Sequence, residues 1–311
     1  MKTILISEGD PASINYELIE GSRSVLQKIS KTHRIILIRG SHPLKAKFFK
    51  EVEAIPKAVG LYSLCTHSIS KEDARQIRLG KPSEISGYVA YKSLCDSITI
   101  QKQIPKSSLL TLPLSKEWVI KSGQTEFRGH TETLAEAYNR PTFMMMTGKK
   151  LKVIPLTTHV PIQNVAQALS KVAIADLILS IRRTKLLKNP KIAMLGLNPH
   201  AGEGGKIGNE ELTMLAPMMD AFKSAKFSIH GPIPGDSAFL RESKSYDLYL
   251  ACYHDQGLIP FKMIEGKSGV NVTLGLDFIR VSPDHGTAFG IAGKGLADPT
   301  GLISCLNLLV T

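Results

Sequence analysis

Three histidines in this 311-residue chain follow apolar runs of strand length, a placement that suits metal ligation. His254 stands in Tyr253-His254-Asp255-Gln256-Gly257, after the run Asp247 to Cys252. His200 stands in NPHAGEGG, after Ile192 to Leu197. His159 stands in TTHVP, after Val153 to Leu156. In open α/β sheets ligands bind outside the carboxyl ends of the strands, and neutral imidazole is the commonest metal ligand. One such histidine is more often a hydrogen-bonded structural residue. Three in equivalent places predict a single divalent metal with coordination positions left open for a substrate.

Other polar groups stand at turns. In Gly129-His130-Thr131-Glu132 the spacing predicts Thr131 as a helix N-cap, with His130 just outside a helix N-terminus. Amides and dipole favour an anion there, although the string also reads as ordinary capping. Gly231-Pro232-Ile233-Pro234-Gly235-Asp236 is a rigid loop offering the carboxylate of Asp236. Lys262, Asn271 and Arg280 recur at nine-residue spacing, which alone does not distinguish them from surface polar residues. No G-x-G-x-x-G is present, because Ile207 stands where the third glycine of the 202–208 stretch belongs, and no Walker A motif ends at Gly266-Lys267-Ser268.

Strands are expected at Lys2 to Ser7, Arg34 to Arg39, Ser108 to Leu114, 142–147, 151–156, 269–276 and 278–281. Helices are expected at 16–29, 87–98, 116–123 and 210–223, with the longest at 161–187. Residues 43–82 have weak patterning and read as a surface excursion. The alternation predicts a mostly parallel sheet with helices on both faces.

Apolar content of 43% and charged content of 21% are ordinary for a globular protein. No apolar run is long enough to cross a bilayer, and the N-terminal run is too short for a signal peptide, so a cytoplasmic location is expected. Cys65, Cys95, Cys252 and Cys305 form no C-x-x-C pair, which fits a reducing compartment. The net charge of +12 divides into +9 over residues 1–150 and +3 over 151–311. With basic residues scattered and aromatics at 6%, nucleic-acid binding is not expected. A positive field would still draw in an anionic substrate.

The strings FRGHTETLAE, TTHVP, GLNPHAGEGGKIGNEE, GPIPGDSAF, YHDQGLIPFK and GVNVTLGLDFIRVSPDHGTA, in this order, resemble the 4-hydroxythreonine-4-phosphate dehydrogenase family of pyridoxal phosphate biosynthesis. The stretch Asp284 to Pro299 is also similar to the HGSAPDIAGKGIANP loop of isocitrate and isopropylmalate dehydrogenases, which bind a dinucleotide without a Rossmann fingerprint. The resemblance implies a three-layer α/β/α fold of that class. It implies two interleaved subdomains across residues 1–311 flanking an active-site cleft, and a homodimer with the site at the subunit interface. It implies a divalent metal (Zn, Mg or Co) on His159, His200 and His254. Substrate contacts would come from His130, Thr131, Lys262, Asn271 and Arg280. NAD, with NADP as the open alternative, would meet Asp284, His285 and Thr287.

The implied reaction is oxidation of 4-phosphooxy-L-threonine at C3 followed by decarboxylation. Asp236, Asp255 and Lys262 are the candidates for proton transfer or support. The alternative is a paralogous dehydrogenase of another four-carbon phosphorylated acid, such as D-erythronate or D-threonate 4-phosphate. The chain departs from the family's first turn, GDPAGIGPE, at Ser13, Asn15 and Tyr16.

Overall fold

The computed structural model describes residues 2–240 and 246–310. The chain divides into two compact units: unit 1, residues 1–139 with 278–311, and unit 2, residues 140–277. In unit 1, β1 (Lys2–Ser7) leads to α1 (Asn15–Gly21), α2 (Arg23–Ile29) and β2 (His33–Gly40). Then come β3 (Lys50–Val52), β4 (Gly60–His67), α3 (Lys71–Gln76), α4 (Glu84–Gln103), β5 (Ser108–Thr111), α5 (Lys116–Lys121) and α6 (His130–Tyr138). Unit 2 carries β6 (Phe143–Thr147), β7 (Lys152–Pro155), α7 (Val165–Leu169), α8 (Ile174–Arg183), β8 (Lys191–Leu195), α9 (Ala216–Ser224), β9 (Ser228–Ile233), β10 (Leu248–Ala251), α10 (His254–Glu265) and β11 (Val270–Leu274). The chain then returns to unit 1 with β12 (Arg280–Pro283) and α11 (Thr300–Val310).

Unit 1 orders its strands β3-β4-β2-β1-β5-β12, all parallel. Ile4 to Ile6 and Ile35 to Ile38 are buried, as expected of parallel strands covered on both faces. Unit 2 orders its strands β11-β6-β7-β10-β8-β9; the pairs β11/β6 and β6/β7 are antiparallel and the rest parallel. The fold class is α/β, as the sequence alternation indicates. Among the described residues no single helix is long and apolar enough to cross a membrane.

Three expectations of the chain's path fail, the first being the helix over 16–29, which is two helices, α1 and α2, that meet at Ser22. The pattern over 161–187 is not one helix: α7 and α8 are bent by 82° about a break at 170–173, and α4 is the longest helix instead. Val172 and Ile174 are β-branched, which weakens helix propensity at the break, and the Val172 amide bonds back to the Leu169 carbonyl as a tight turn. Residues 43–82 are not merely an excursion, since β4 pairs in register with β2 from Gly60. Its half-buried face left little alternation to read.

The β6–β7 hairpin is tied down by a carboxylate. Glu265, buried at the end of α10, accepts hydrogen bonds from the amides of Lys149 (3.0 Å), Lys150 (2.6 Å) and Leu151 (2.8 Å). A Cβ at Gly148 would collide with that carboxyl group. Glu265→Ala orphans three amides and is expected to lower stability by ~3 kcal/mol, read as a lower urea midpoint. Loss of less than ~1 kcal/mol would show that water replaces the carboxylate.

Candidate functional site

Unit 2 brings two of the three strand-end histidines together. The rings of His159 and His254 lie 6.0 Å apart between centroids, tilted by 37°. Both line a cavity of about 300 Å³ with Thr157, Tyr253 and Asp255. The backbone explains the approach. Gly257, one turn into α10, leaves room for the helix to sit on β7, where a Cβ would stand 2.5 Å from Val153 Cγ1. The Thr157 hydroxyl donates to the Cys252 carbonyl at 2.7 Å, and the Leu156 amide donates to the Ala251 carbonyl at 2.7 Å. These bonds fix the loop carrying His159, which itself adopts a left-handed φ of 52°.

Asp255 Oδ1 lies 2.6 Å from His254 Nδ1. With Nδ1 donating to that carboxylate, Nε2 keeps its lone pair outward, the orientation a metal ligand needs. A second cavity, about 920 Å³, is lined by His200, Asp236, Asp255, Gln256, Ile259 and Met263, among others. It shares Ile162, Val165, Tyr253 and Asp255 with the first. Among the described residues no three His, Cys, Asp or Glu side chains are gathered closely enough to hold an ion as they stand. The His159–His254 pair, with one nitrogen oriented by Asp255, fits a divalent cation as two of its ligands. His200 faces the adjoining space.

His200 opens an unusual segment. Residues His200 to Gly205 all have positive φ, including the non-glycine residues His200, Ala201 and Glu203. Non-glycine residues in that region carry a penalty of roughly 1–2 kcal/mol each, so the surroundings must hold them. Glu211 does part of this. Its carboxylate accepts from the Asn198 amide at 2.7 Å and from Asn198 Nδ2 at 2.9 Å. Glu211 begins a π-helical turn, Glu211–Leu215, which continues directly into α9 at Ala216. Gln256, for which the sequence predicts no role, ties the end of β8 to that of β10. Its Nε2 donates to the Gly196 carbonyl (2.6 Å), and its Oε1 accepts from the Cys252 amide (2.7 Å). Its position inside the YHDQG string was the available signal.

Unit 1 gathers a different set. His130 is the first residue of α6, not the residue before it, and Thr131 is not the cap. Gly129 is the N-cap, with no side-chain cap bond. The Gly129 carbonyl receives the Thr133 amide and hydroxyl, which closes the first turn. His130 Nε2 is shut off from solvent and has no hydrogen-bond partner. Burial, and then the cations Arg280 and Lys116, hold its pKa well below the usual histidine range, so the ring is neutral. Arg280 on β12 is buried and donates from Nη2 to Thr111 Oγ1 at 2.5 Å. Burial pulls its pKa down to about 10, leaving it charged at neutral pH. A neutral ring with a buried guanidinium beside it is an arrangement that can accept an anion. Lys262 and Asn271 lie on α10 and β11 of unit 2; Asn271 Oδ1 is buried without a hydrogen-bond partner.

Asp284, His285 and Thr287 lie in the unit 1 loop that follows β12. His285 Nδ1 contacts the Gly286 carbonyl at 3.0 Å, and its Nε2 has no hydrogen-bond partner. Open space surrounds the Cβ positions of Gly286 and Gly290. An orphaned ring nitrogen on an uncrowded glycine loop fits a dinucleotide approaching the backbone closely.

Asp10, at the carboxyl end of β1, is raised by burial to a pKa of about 6. The folded state therefore holds its proton more tightly than the unfolded chain does. Its contribution is present below about pH 4 and is lost as pH rises through 6, a swing of about 2–3 kcal/mol. Asp10→Asn is expected to remove that slope and to gain stability over the parent at pH 8 in urea unfolding. Parallel stability–pH curves for the two proteins would contradict the assignment.

The α/β fold, with its two units of largely parallel strands, is shared with solved structures of β-decarboxylating dehydrogenases. One such enzyme, from Thermococcus kodakarensis, has a TM-score of 0.53 at 12% identity, covering 99% of this chain and 82% of its own. The chain belongs to the family described as "Pyridoxal phosphate biosynthetic protein PdxA", which it matches over residues 13–309. The 4-hydroxythreonine-4-phosphate dehydrogenase of a Sulfurihydrogenibium species is 37% identical over 326 aligned residues, covering 100% of this chain and 98% of the relative. The crystal structure of 4-hydroxythreonine-4-phosphate dehydrogenase from Klebsiella pneumoniae gives a TM-score of 0.78 at 29% identity, over 99% of this chain and 97% of that one. A relative from Oceanobacillus iheyensis, provisionally named D-threonate 4-phosphate dehydrogenase, is 35% identical over 97% of this chain and 95% of its own. By family the chain is an oxidoreductase.

Proposed function

We propose that the chain oxidises 4-phosphooxy-L-threonine at C3 with NAD and a divalent metal, giving 2-amino-3-oxo-4-phosphooxybutanoate. That product loses CO2 to form 3-amino-2-oxopropyl phosphate in pyridoxine 5'-phosphate biosynthesis. The observation that carries this reading is the paired His159 and His254 with Asp255 beside them, in a chain of this family. His159, His254 and His200 would hold Zn, Mg or Co. When bound, the metal lowers the pKa of the substrate hydroxyl and polarises the neighbouring carbonyl during decarboxylation.

The chain's own groups divide the remaining tasks. His130 and Arg280 take the phosphate, the neutral ring donating a hydrogen bond and the guanidinium supplying charge. Thr131, Lys262 and Asn271 contact the rest of the substrate. Asp255 keeps His254 in one tautomer. Asp236, which lines the larger cavity, and Lys262 would receive the hydroxyl proton and return one to the carbon that loses CO2. Asp284, His285 and Thr287 receive NAD, with NADP as the alternative; the nicotinamide accepts the C3 hydride. The enzyme works in the cytoplasm as a homodimer with the site at the subunit interface. Exposed Ile162, Ile259 and Met263 in unit 2 support such a contact.

The second reading is oxidation of D-threonate or D-erythronate 4-phosphate, favoured by the Oceanobacillus relative. The test is NADH formation with the amino acid and the two hydroxy acids, each with added Mg, Co or Zn. The first reading expects the phosphorylated amino acid to exceed both hydroxy acids in kcat/KM by at least about tenfold. The reverse order would transfer the assignment, and no turnover by folded protein with any of the three would sink both.

A further inference from the structure

The turn between β1 and α1 carries side chains where the family pattern has glycine or proline, and these side chains point inward. Asn15 is fully buried. Its Nδ2 donates its two protons to the carbonyls of Glu8 (2.9 Å) and Pro113 (2.8 Å), with that of Asp10 (3.3 Å) as a weaker, shared acceptor. It thereby fills the crevice between the carboxyl ends of β1 and β5, where the strand order of unit 1 reverses. The Ser13 hydroxyl donates to the Asp10 carbonyl at 2.6 Å and accepts from the Asn15 amide at 3.2 Å.

Tyr16 completes the arrangement. Its hydroxyl donates to Glu8 Oε2 at 2.8 Å, and its ring meets that of His42 edge-on at 5.8 Å. Glu8 is buried and also contacts His42 Nε2 (2.7 Å) and the Gly40 amide (2.5 Å). Glu8, Tyr16 and His42 therefore tie the turn to the end of β2. A buried carboxylate with three partners, one of them an imidazole, is a rigid anchor.

The opposite side of the same turn carries the 284–299 loop. The Ile14 amide donates to the Thr287 carbonyl at 3.2 Å, and Glu17 Oε1 accepts from the Gly293 amide. Gly21 lies so close to Pro299 that an added Cβ would stand 3.0 Å from its ring. The Gly80 amide holds the Ala12 carbonyl at 2.8 Å, and a Cβ on Gly80 would stand 3.1 Å from the Phe289 carbonyl oxygen. The residues that stand in place of the family's glycines and proline are held by hydrogen bonds within the turn itself. They convert a turn shaped by backbone freedom into one shaped by side-chain hydrogen bonds.

We propose that Asn15 and Tyr16, anchored through Glu8 and His42, are positioning residues for the dinucleotide: they set the turn on which the 284–293 loop is laid. The proposal rests on the dehydrogenase reading above. Tyr16→Phe keeps the ring on His42 and deletes only the hydroxyl; Asn15→Gly restores the family residue and empties the crevice. In each variant NAD is expected to bind about tenfold more weakly by calorimetry, with kcat changed less than about twofold, because a loosened supporting contact acts on binding geometry more than on a step it does not touch. Hydrogen exchange at amides 285–293 should quicken in both. If Asn15→Gly fails to fold, Tyr16→Phe carries the test alone. A lower melting temperature with unchanged NAD affinity and unchanged exchange at 285–293 would reduce these residues to stabilisers and overturn the proposal. A parent protein that binds NAD normally alongside unaltered variants refutes only the positioning role. A folded parent that binds no dinucleotide refutes the cofactor reading and this proposal together.

Discussion

If His159, His200 and His254 hold a divalent metal as proposed, replacing His254 by alanine is expected to empty that site while leaving the fold intact. Bound divalent metal, measured by elemental analysis after dialysis, should fall from about one ion per chain to below about a tenth, and kcat/KM by at least about a thousandfold. The fold should persist because His254 is only the first residue of α10, and its side chain is 38% exposed. Asp255→Asn should be milder, with metal affinity down about 10–100-fold, since an amide can still meet Nδ1 but holds the ring less firmly. Folded His254→Ala with undiminished metal would place the ion elsewhere and dissolve the histidine cluster as a site.

Arg280→Met is expected to raise KM for a phosphorylated substrate by about a hundredfold or more, while stability holds or improves. The sign of the stability change follows from burial: the guanidinium is almost wholly enclosed, and exchanging a buried charge for an apolar side chain of similar volume is often neutral or favourable. Arg280→Lys should not rescue binding, because a point charge lacks the fork that spans two anionic oxygens. An unphosphorylated analogue should bind parent and variant alike. His130, kept neutral by burial and by the neighbouring cations, cannot replace the lost charge at neutral pH. An unchanged KM would make Arg280 a structural support, through Thr111 among its contacts, and not a substrate ligand.

Much of this site was legible because strand-end chemistry leaves a plain mark. An apolar run that stops abruptly at His254, or before His159, can be read without a fold. The tight fit of Gly257 on Val153 that draws those two residues together could not be read. His200 marks the limit. Six successive residues with positive φ follow Pro199, and nothing in NPHAGEGG beyond its glycines announces that direction. β4 escaped notice because its half-buried residues mix apolar and polar types in no regular order. The break in 161–187 escaped because Val165, Leu169, Val172 and Leu177 keep helical spacing across a bend that backbone geometry alone reveals. The anchor at Glu8 needed His42 and Tyr16 brought in from distant strings, a pairing that only the folded chain supplies.

The interleaved path of the chain has a consequence for biosynthesis. Unit 2 is one uninterrupted segment, residues 140–277, and can fold as soon as it leaves the ribosome, since domains generally fold as units. Unit 1 must wait. Its strand β5 lacks its parallel neighbour β12 until the residues after 277 have been made. Throughout that interval β5 is a bare edge with unpaired amides and carbonyls, next to the largely buried β1. Such an edge invites pairing with another nascent chain. Slow translation across 140–277 would lengthen this exposed period, whereas a circular permutant that begins at residue 278 would deliver β12 first and abolish it.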